Sequence, residues 1–313
     1  MKKALRKLVP AIVMLLIAAA FVGTSTYAWF SMNRVVNVSG MSVTTEVSDS
    51  LLIAEANAEA NFVKTITQNR VGRLRPVSTV NGVDFFYTNP TNVKGNGDAN
   101  TETYVAYSEA VVADPSNALT NSPAGKSNYD KAFNEAYGVS GTFTNDNVLF
   151  GYIDYSFYIK ATNVTNTAED LKLTTLNLLY NGAVVTEKAW RVAVFAQSAS
   201  ANTAVSTAPT TSERVAMLTL SGAANQETGK AVTSTSATGT VTYTSDAWAV
   251  ASVGTGASST QYYKVTVRLW LEGEDTTCTN TTFATLTSAY TLAVEFVLGG
   301  SEDAVTVIGS TAA

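Results

Sequence analysis

The chain contains no histidine among its 313 residues. Histidine is the general base of Ser-His-Asp and Cys-His enzymes and a ligand in the HExxH and most other zinc motifs. The sequence also has no GxxxxGK[ST] loop, and no GxGxxG turn follows a predicted strand. These absences exclude the common catalytic classes, so we predict that the protein is not an enzyme. No cofactor is expected, with calcium as the one ion considered below.

Cysteine is almost as scarce, since Cys278 is the only one. One cysteine cannot form a disulfide within the chain, so the fold must depend on its core, whatever the redox state of its surroundings. A histidine or a basic neighbour would activate the thiol, and the sequence places neither beside it. We interpret Cys278 as a structural thiol that follows a strand.

Charged residues make up 14% of the chain, where about 25% is usual. Four of the basic residues, Lys2, Lys3, Arg6 and Lys7, lie at the N-terminus, and the remainder carries 16 Lys+Arg against 25 Asp+Glu, a net charge of −9. Proteins that bind nucleic acid present basic patches to the phosphate backbone. Nucleic acid is therefore not an expected partner.

Long apolar runs are missing except for one at 8–22, directly after the four basic residues. A basic segment followed by an apolar one is typical of an export signal. A run of about 15 residues is shorter than the about 20 that span a membrane. We therefore predict a signal peptide over 1–28, membrane contact only through that segment, and an extracellular protein.

The cleavage site is predicted between Ala28 and Trp29. Thr26 and Ala28 are small residues three and one positions before the cut, as a signal peptidase requires. The alternative is an uncleaved anchor, in which the aromatic residues of 27–30 lie at the membrane surface.

Period-two alternation of apolar residues dominates the rest of the chain. In YYKVTVRLWLEG the odd positions of 263–271 are apolar, whereas Lys264, Thr266 and Arg268 lie between them. The same alternation occurs in YIDYSFYIK, WRVAVFAQ and LAVEFVLG. Each stretch is predicted to be a half-buried antiparallel strand with its polar face in solvent.

Turn and helix signals are few. Asn81-Gly82 and Asn181-Gly182 lie between apolar runs and predict type I′ hairpin turns. The best helix candidate is SNYDKAFNEAYG, in which Ser127 would be the cap, Asp130 would complete the capping box and Gly138 would end the helix.

The predicted fold class is all-β. We expect a single elaborated β-sandwich of jelly-roll type over 49–313, preceded by an N-terminal strand segment at 29–48. Residues 198–260, rich in Ser, Thr, Ala and Gly, are interpreted as short strands joined by long surface loops.

An acidic stretch, WLEGEDTTCTN, is a candidate metal site. It offers oxygen ligands from Glu272, Glu274, Asp275 and Asn280 after a strand, and calcium prefers such ligands. The spacing does not match an EF-hand, and a merely solvated acidic loop is the alternative.

After the predicted cut the chain begins WFSMNRVVNVSGMSVTTEV. Its first apolar residues share one face of an extended strand. Gly40 then shifts the phase, and Met41 and Val43 continue the pattern. A strand with one apolar face needs a groove, either in its own sandwich or in that of a neighbour.

The stretch GTSTYAWFSMN resembles the cleavage region of the TasA/camelysin family, whose members are exported by a dedicated signal peptidase of the SipW type. The resemblance implies a jelly-roll β-protein that forms extracellular matrix fibres, like the related archaeal bundling pili. In such fibres the mature N-terminal segment completes the sheet of the next subunit. Carried over to this chain, the donor strand would comprise Trp29, Phe30, Met32, Val36 and Val38.

Two functions follow from this reading. The first is a structural subunit of an extracellular filament or surface matrix, with other copies of itself as partner, assembled by donor-strand complementation. The alternative is a monomeric secreted adhesin or carbohydrate-binding sandwich, which Trp248 and Trp270 would suggest if they are exposed. Packing of these rings in the core or on a strand face is the commoner arrangement. The protease activity associated with the camelysin name is hard to build without histidine.

Overall fold

The computed structural model describes residues 35–45, 51–88, 104–107, 130–139, 147–163, 167–180, 183–184, 189–219, 228–232, 238–242, 249–254, 259–273, 275, 278 and 290–299.

Strands dominate these residues. They are β1 (Val36–Thr45), β2 (Leu51–Ala54), β3 (Thr65–Leu74), β4 (Phe85–Thr88), β5 (Tyr104–Tyr107), β6 (Tyr152–Asn163), β7 (Glu169–Tyr180), β8 (Ala183–Val184), β9 (Trp190–Ala199), β10 (Arg214–Thr219), β11 (Thr228–Val232), β12 (Thr238–Thr242), β13 (Ala249–Val253), β14 (Ser259–Leu271) and β15 (Tyr290–Leu298). One α-helix, α1 (Lys131–Ala136), and two short 3-10 helices, Glu59–Asn61 and Thr211–Glu213, complete the described elements.

Two large sheets form a sandwich. The first sheet has the order β13-β7-β15-β1-β3, with β8 paired to β7, and the second has the order β10-β9-β14-β6-β2. Two small hairpins, β4–β5 and β11–β12, lie outside them. The predicted all-β sandwich is confirmed.

The inner core, between the two sheets, is built by the alternation that the sequence shows. All five odd positions of 263–271 are buried there. The apolar faces of the other three predicted strands join them, through Ile153, Tyr155, Phe157, Ile159, Trp190, Val192, Val194, Leu292, Val294 and Phe296. Period-two side-chain direction therefore predicted the inward face of each long strand correctly.

The opposite face of the second sheet is also buried, which corrects the prediction of a solvated polar face. Thr266 and Arg268 are 1% and 2% exposed, and only Lys264 is partly open. A second cluster of apolar residues, the outer cluster, covers this face; it comprises Val77, Phe85, Tyr87, Tyr107, Phe133, Leu149, Tyr152, Ala193, Phe195, Met217 and Trp270.

The cover over this face is the cap, which we define as the β4–β5 hairpin together with α1. Its aromatic rings pack edge to face: Phe133 lies 4.9 Å from Tyr87 and 5.0 Å from Tyr107, measured between ring centroids. Phe85 reaches down to Trp270 of β14 at 5.4 Å. Such pairs add stability beyond the area that they bury.

The Asn81-Gly82 turn differs from the predicted type I′ turn. Gly82 has a φ of 74°, but among the described non-glycine residues only Asn202 has a positive φ. Asn81 instead uses its side chain, which accepts hydrogen bonds from the backbone N–H groups of Val83 (2.9 Å) and Asp84 (2.8 Å). An Asx-type turn has replaced the I′ geometry.

The second predicted turn, Asn181-Gly182, lies outside the described residues. The strands on either side of it pair antiparallel, with Tyr180 opposite Ala183 and Leu179 opposite Val184. The hairpin is therefore confirmed, and its turn type stays a prediction.

The helix begins later than predicted. Asp130, rather than Ser127, is the N-cap, and its Oδ1 accepts a hydrogen bond from the Phe133 N–H at 2.8 Å. Gly138 follows the helix with a φ of 80°, a conformation that favours glycine, so the predicted end is correct.

Candidate assembly site: the slot held by strand β1

Strand β1 lies inside the first sheet, between β15 and β3. It runs parallel to β15 and antiparallel to β3. Every other strand pair in the described part of the chain is antiparallel. We call the space between β15 and β3, which β1 fills, the β1 slot.

The inward side chains of β1 are fully sequestered in the inner core. Val36, Val38 and Val43 are 0% exposed and Met41 is 1% exposed. At roughly 1.5–3 kcal/mol for each buried side chain, their gross contribution is on the order of 6–12 kcal/mol. The slot therefore needs a strand with apolar residues at these positions.

Both ladders of β1 are irregular at the same height. Toward β15, Val38 pairs with Tyr290 and Met41 with Leu292, so two residues of β1 lie opposite one. Toward β3, Met41 pairs with Gln68 but residue 39 with residue 71, so one residue of β1 lies opposite two. The phase shift predicted at Gly40 is confirmed by these bulges.

The C-terminal end of β1 connects it to the rest of the fold. The Thr45 N–H donates to the Lys64 carbonyl at 3.1 Å, and its hydroxyl donates to the Leu51 carbonyl at 3.1 Å. The chain then passes through 46–50 to β2, which belongs to the second sheet.

The predicted donor strand overlaps β1 only at its end. Val36 and Val38 lie in β1, whereas Ala28, Trp29, Phe30 and Met32 lie outside the described residues. The 29–48 segment is thus not separate from the sandwich where it is described: residues 36–45 form one of its strands. The inward face of β1 also includes Met41 and Val43, beyond the phase shift predicted at Gly40, and the donor role stays a prediction.

Two of the four predicted calcium ligands are described, and both have protein partners. The Glu272 carboxylate accepts a hydrogen bond from Trp270 Nε1 at 3.2 Å. Asp275 forms a salt bridge with Arg191 at 2.7 Å, with side chains 7% and 1% exposed. Glu274 and Asn280 lie outside the described residues. Among the residues that the structure describes, no three or more His, Cys, Asp or Glu side chains lie close enough together to hold a metal ion. Calcium stays a prediction.

Cys278 lies beside this acidic pair and is buried. Burial raises the pKa of its thiol well above the usual value, and the charges of Asp275 and Glu272 raise it further, against an opposing effect of Arg191. The thiol is therefore held in its protonated form, which is a poor nucleophile.

Trp270 is buried, which is the commoner of the two arrangements considered for it. It is 0% exposed and belongs to the outer cluster, while Trp248 lies outside the described residues. The reason is that the cap covers the face on which Trp270 lies, and the alternation within β14 gives no sign of that cover.

A polar groove of about 510 Å³ opens where the end of β9 meets the start of β14, lined by residues 198–201 and 260–263. Tyr262 at its wall packs edge to face on Phe62 at 5.8 Å, and its hydroxyl donates to Glu59 at 3.0 Å. Lys160 also donates a hydrogen bond to Glu59. The hydrogen bond from Lys160, and then that from Tyr262, lower the pKa of the Glu59 carboxyl. The groove leaves no signal in the sequence, because its two segments meet only in the fold.

Comparison of the chain with models of known protein families, with curated proteins and with solved structures found no match. Within the residues that the structure describes, no helix is long and apolar enough to cross a membrane.

Proposed function

We propose that the protein is a structural subunit of an extracellular filament, assembled when β1 of one copy enters the β1 slot of the next. The observation that carries the proposal is the position of β1: the first described strand lies between β15 and the edge strand β3, and its pairing with β15 is the one parallel ladder among the described strands. A strand of this kind can be exchanged between copies.

The energetics favour exchange over simple dissociation. A copy that keeps its own β1 and a copy that receives β1 from a neighbour make the same ladder hydrogen bonds and bury the same side chains. Exchange therefore costs little at equilibrium, and any additional contact between neighbouring sandwiches favours the polymer. Because donor strand and slot are different surfaces, the contact is heterologous and need not close into a ring.

The strand inventory is consistent with this role. Apart from β1, β2 and the two-residue strand β8, the first sheet contains β13, β7, β15 and β3, and the second contains β10, β9, β14 and β6. Eight strands in two sheets is the strand number of a jelly roll, the subtype that we propose for this sandwich. In that description β1 is an addition that fills a gap between β15 and β3, as a donated strand would.

Export fits the same proposal. A signal peptide over 1–28 would deliver the chain outside the cell, where copies meet after β1 is freed from the membrane. Neither an enzymatic step nor a nucleic-acid partner is part of this function.

A paired cysteine substitution tests the exchange directly. Ser42 of β1 and Thr67 of β3 are direct antiparallel partners, with Ser42 half-buried and Thr67 exposed. Opposite residues in an antiparallel pair lie about 4.5–5.5 Å apart, within the range that a disulfide bridges. The Ser42→Cys/Thr67→Cys chain, beginning at Trp29, is assembled first and oxidised afterwards, and a non-reducing denaturing gel is run.

If β1 is exchanged, the disulfide joins different copies, and the gel shows a ladder of covalent oligomers that disappears on reduction. If β1 stays in its own chain, the disulfide is intramolecular and only monomer is seen. The Thr67→Cys single variant is the matched control and gives no ladder in either case. In the reverse order, the monomer is oxidised before assembly. Oxidation should then prevent the filaments that electron microscopy detects, and subsequent reduction should restore them. A covalent monomer from fully assembled material would refute the proposal.

The polar groove favours carbohydrate binding as a second candidate function. Its hydroxyl and amide side chains, next to the rings of Tyr262 and Phe62, offer the hydrogen bonds and the apolar face that neutral sugars use. A glycan array with the monomer tests it, with Tyr262→Ala as the disrupting variant. An array without hits removes this candidate and leaves the filament proposal untouched.

A further inference from the structure

The polar groove has two walls, which we call the β9 wall (198–201) and the β14 wall (260–263), and neither contains a Lys, Arg, Asp or Glu side chain. The hydroxyl, amide and phenol groups of the walls offer hydrogen bonds without a formal charge. The charge that a bound molecule experiences is therefore set by residues beside the walls.

A short segment, 57–62, holds the β9 wall in place. It lies between β2 and β3, and its Asn57 side chain is 7% exposed. Asn57 Nδ2 donates to the carbonyls of Ser200 and Thr203, at 2.7 Å each. Because a buried side chain fixes this wall, the groove is preformed, and a ligand does not have to order the wall when it binds.

Glu59, in the same segment, connects the two walls. Its backbone N–H donates to Asn202 Oδ1 at 2.9 Å, next to the β9 wall. Its Oε2 accepts a hydrogen bond from the Tyr262 hydroxyl of the β14 wall at 3.0 Å, and its Oε1 accepts from Lys160. A carboxylate has about four acceptor sites, and these two side-chain contacts leave the others open to further donors.

The charge that reaches solvent beside the groove is negative. The Glu59 side chain is 52% exposed, whereas that of Lys160 is 20% exposed. The chain beyond the predicted cut has the same sign, with 16 Lys+Arg against 25 Asp+Glu. An anionic ligand is repelled at such a site, whereas hydroxyl groups can donate charge-assisted hydrogen bonds to the carboxylate.

We propose that Glu59 determines the specificity of the groove: it selects neutral glycans, whose hydroxyl groups donate to its carboxylate, and it rejects glycans that carry carboxylate or sulfate groups. The inference rests on carbohydrate binding, the second candidate function, and is independent of the filament. In this arrangement Tyr262 provides the ring on which a sugar packs, and Glu59 provides the charge that discriminates between ligands.

Glycans that share a backbone and differ only in charge test the inference. The probes are neutral gluco-, manno-, xylo- and galacto-oligosaccharides on an array, each beside its sulfated form. The proteins are the wild type, Glu59→Gln, Tyr262→Ala and Glu135→Gln, each as the monomer. Glu135→Gln is the matched control, because the Glu135 side chain is also 52% exposed and paired with a lysine, but lies on α1. Binding curves over a series of protein concentrations give the Kd for each glycan.

We expect the wild type to bind a neutral glycan at least about tenfold more tightly than its sulfated form, because like charges oppose binding. Glu59→Gln should weaken binding of the neutral glycan about tenfold, the effect of losing one hydrogen bond to a charged group, and should reduce the preference for the neutral form. Glu135→Gln should change neither value.

Three results would overturn the inference. If Glu59→Gln behaves like Glu135→Gln, or if the sulfated glycans bind the wild type as tightly as the neutral ones, the role of Glu59 is wrong while carbohydrate binding stands. If Tyr262→Ala binds normally, the glycan does not lie in the groove. If the wild type binds no glycan, the second candidate function and this inference both fail, and the filament proposal is unaffected.

Discussion

Arg268 and Asp154 form a two-bonded ion pair on the outer face of the second sheet. Arg268 Nε lies 2.7 Å from Asp154 Oδ1, and Nη2 lies 2.8 Å from Oδ2. Both residues are nearly inaccessible, at 2% and 4% exposed. Arg268 also donates to the Gly82 carbonyl at 3.0 Å and stacks 4.1 Å from the Tyr152 ring, so the pair connects the sheet to the segment that leads into the cap.

Arg268→Met should destabilise the protein by about 3–5 kcal/mol, because it leaves the buried Asp154 carboxylate without its counter-charge. The free energy of unfolding from urea denaturation measures the loss. Lys131→Ala, which breaks the exposed Lys131–Glu135 pair, is the control and should cost at most about 0.5 kcal/mol. The double variant Arg268→Met/Asp154→Leu should recover most of the loss. Equal effects of Arg268→Met and Lys131→Ala would contradict the importance of burial here.

Gly82→Ala should be more costly than Gly138→Ala. Both glycines have positive φ, 74° and 80°, so alanine is strained at each by about 1–2 kcal/mol. A Cβ at residue 82 would also lie 3.0 Å from Ala193 Cβ, whereas none of the atoms around residue 138 lies within 4 Å. The Tm from thermal unfolding therefore compares backbone strain alone, in Gly138→Ala, with backbone strain plus a steric clash, in Gly82→Ala. An equal shift in Tm would show that the segment around residue 82 moves away from Ala193 at no cost.

Val38→Asp should abolish filaments and destabilise the monomer, whereas its neighbour Asn37→Asp should do neither. Val38 is 0% exposed, so a carboxylate at this position would be buried without a counter-charge. This costs several kcal/mol of stability, whether β1 lies in its own chain's sheet or in that of a neighbouring copy. Asn37 is exposed and lies opposite Arg73, so a negative charge there is tolerated. Electron microscopy and circular dichroism give the two readouts. Normal filaments from Val38→Asp would show that this part of β1 is not in the slot.

Tyr87→Phe should make the protein less sensitive to alkali. Burial first, and then the charge of Asp130, raises the pKa of Tyr87 from 10.0 to about 12. Because the folded-state pKa is raised, its stabilising effect is fully present below pH 10 and is lost as pH rises toward 12. Stability should therefore fall across this window in the wild type and fall less steeply in Tyr87→Phe, which keeps the ring. Denaturation midpoints at a series of pH values measure the slope, and parallel profiles would contradict the assignment.

The sequence predicted the inward faces of the long strands well. In β14, β6, β9 and β15, side chains alternate along a single extended segment, so local order alone fixes which residues share a face. The phase shift at Gly40 is local in the same sense. The helix boundary was less accurate because Ser127 and Asp130 are both good caps, and the choice between them depends on packing of Phe133 in the outer cluster.

What the sequence by itself determined is an all-β chain with apolar faces of known composition and no histidine-dependent chemistry. Only the tertiary structure decided that the second face of β14 is covered, that Trp270 is buried, and that β1 lies between β3 and β15, parallel to β15 alone. The physical reason is that the alternating pattern of a strand shows which apolar face must be buried, but not which other segment of the chain will cover that face. Pairing and cover join segments far apart in the chain, such as Met41 with Leu292 and Phe85 with Trp270, and no local period records them.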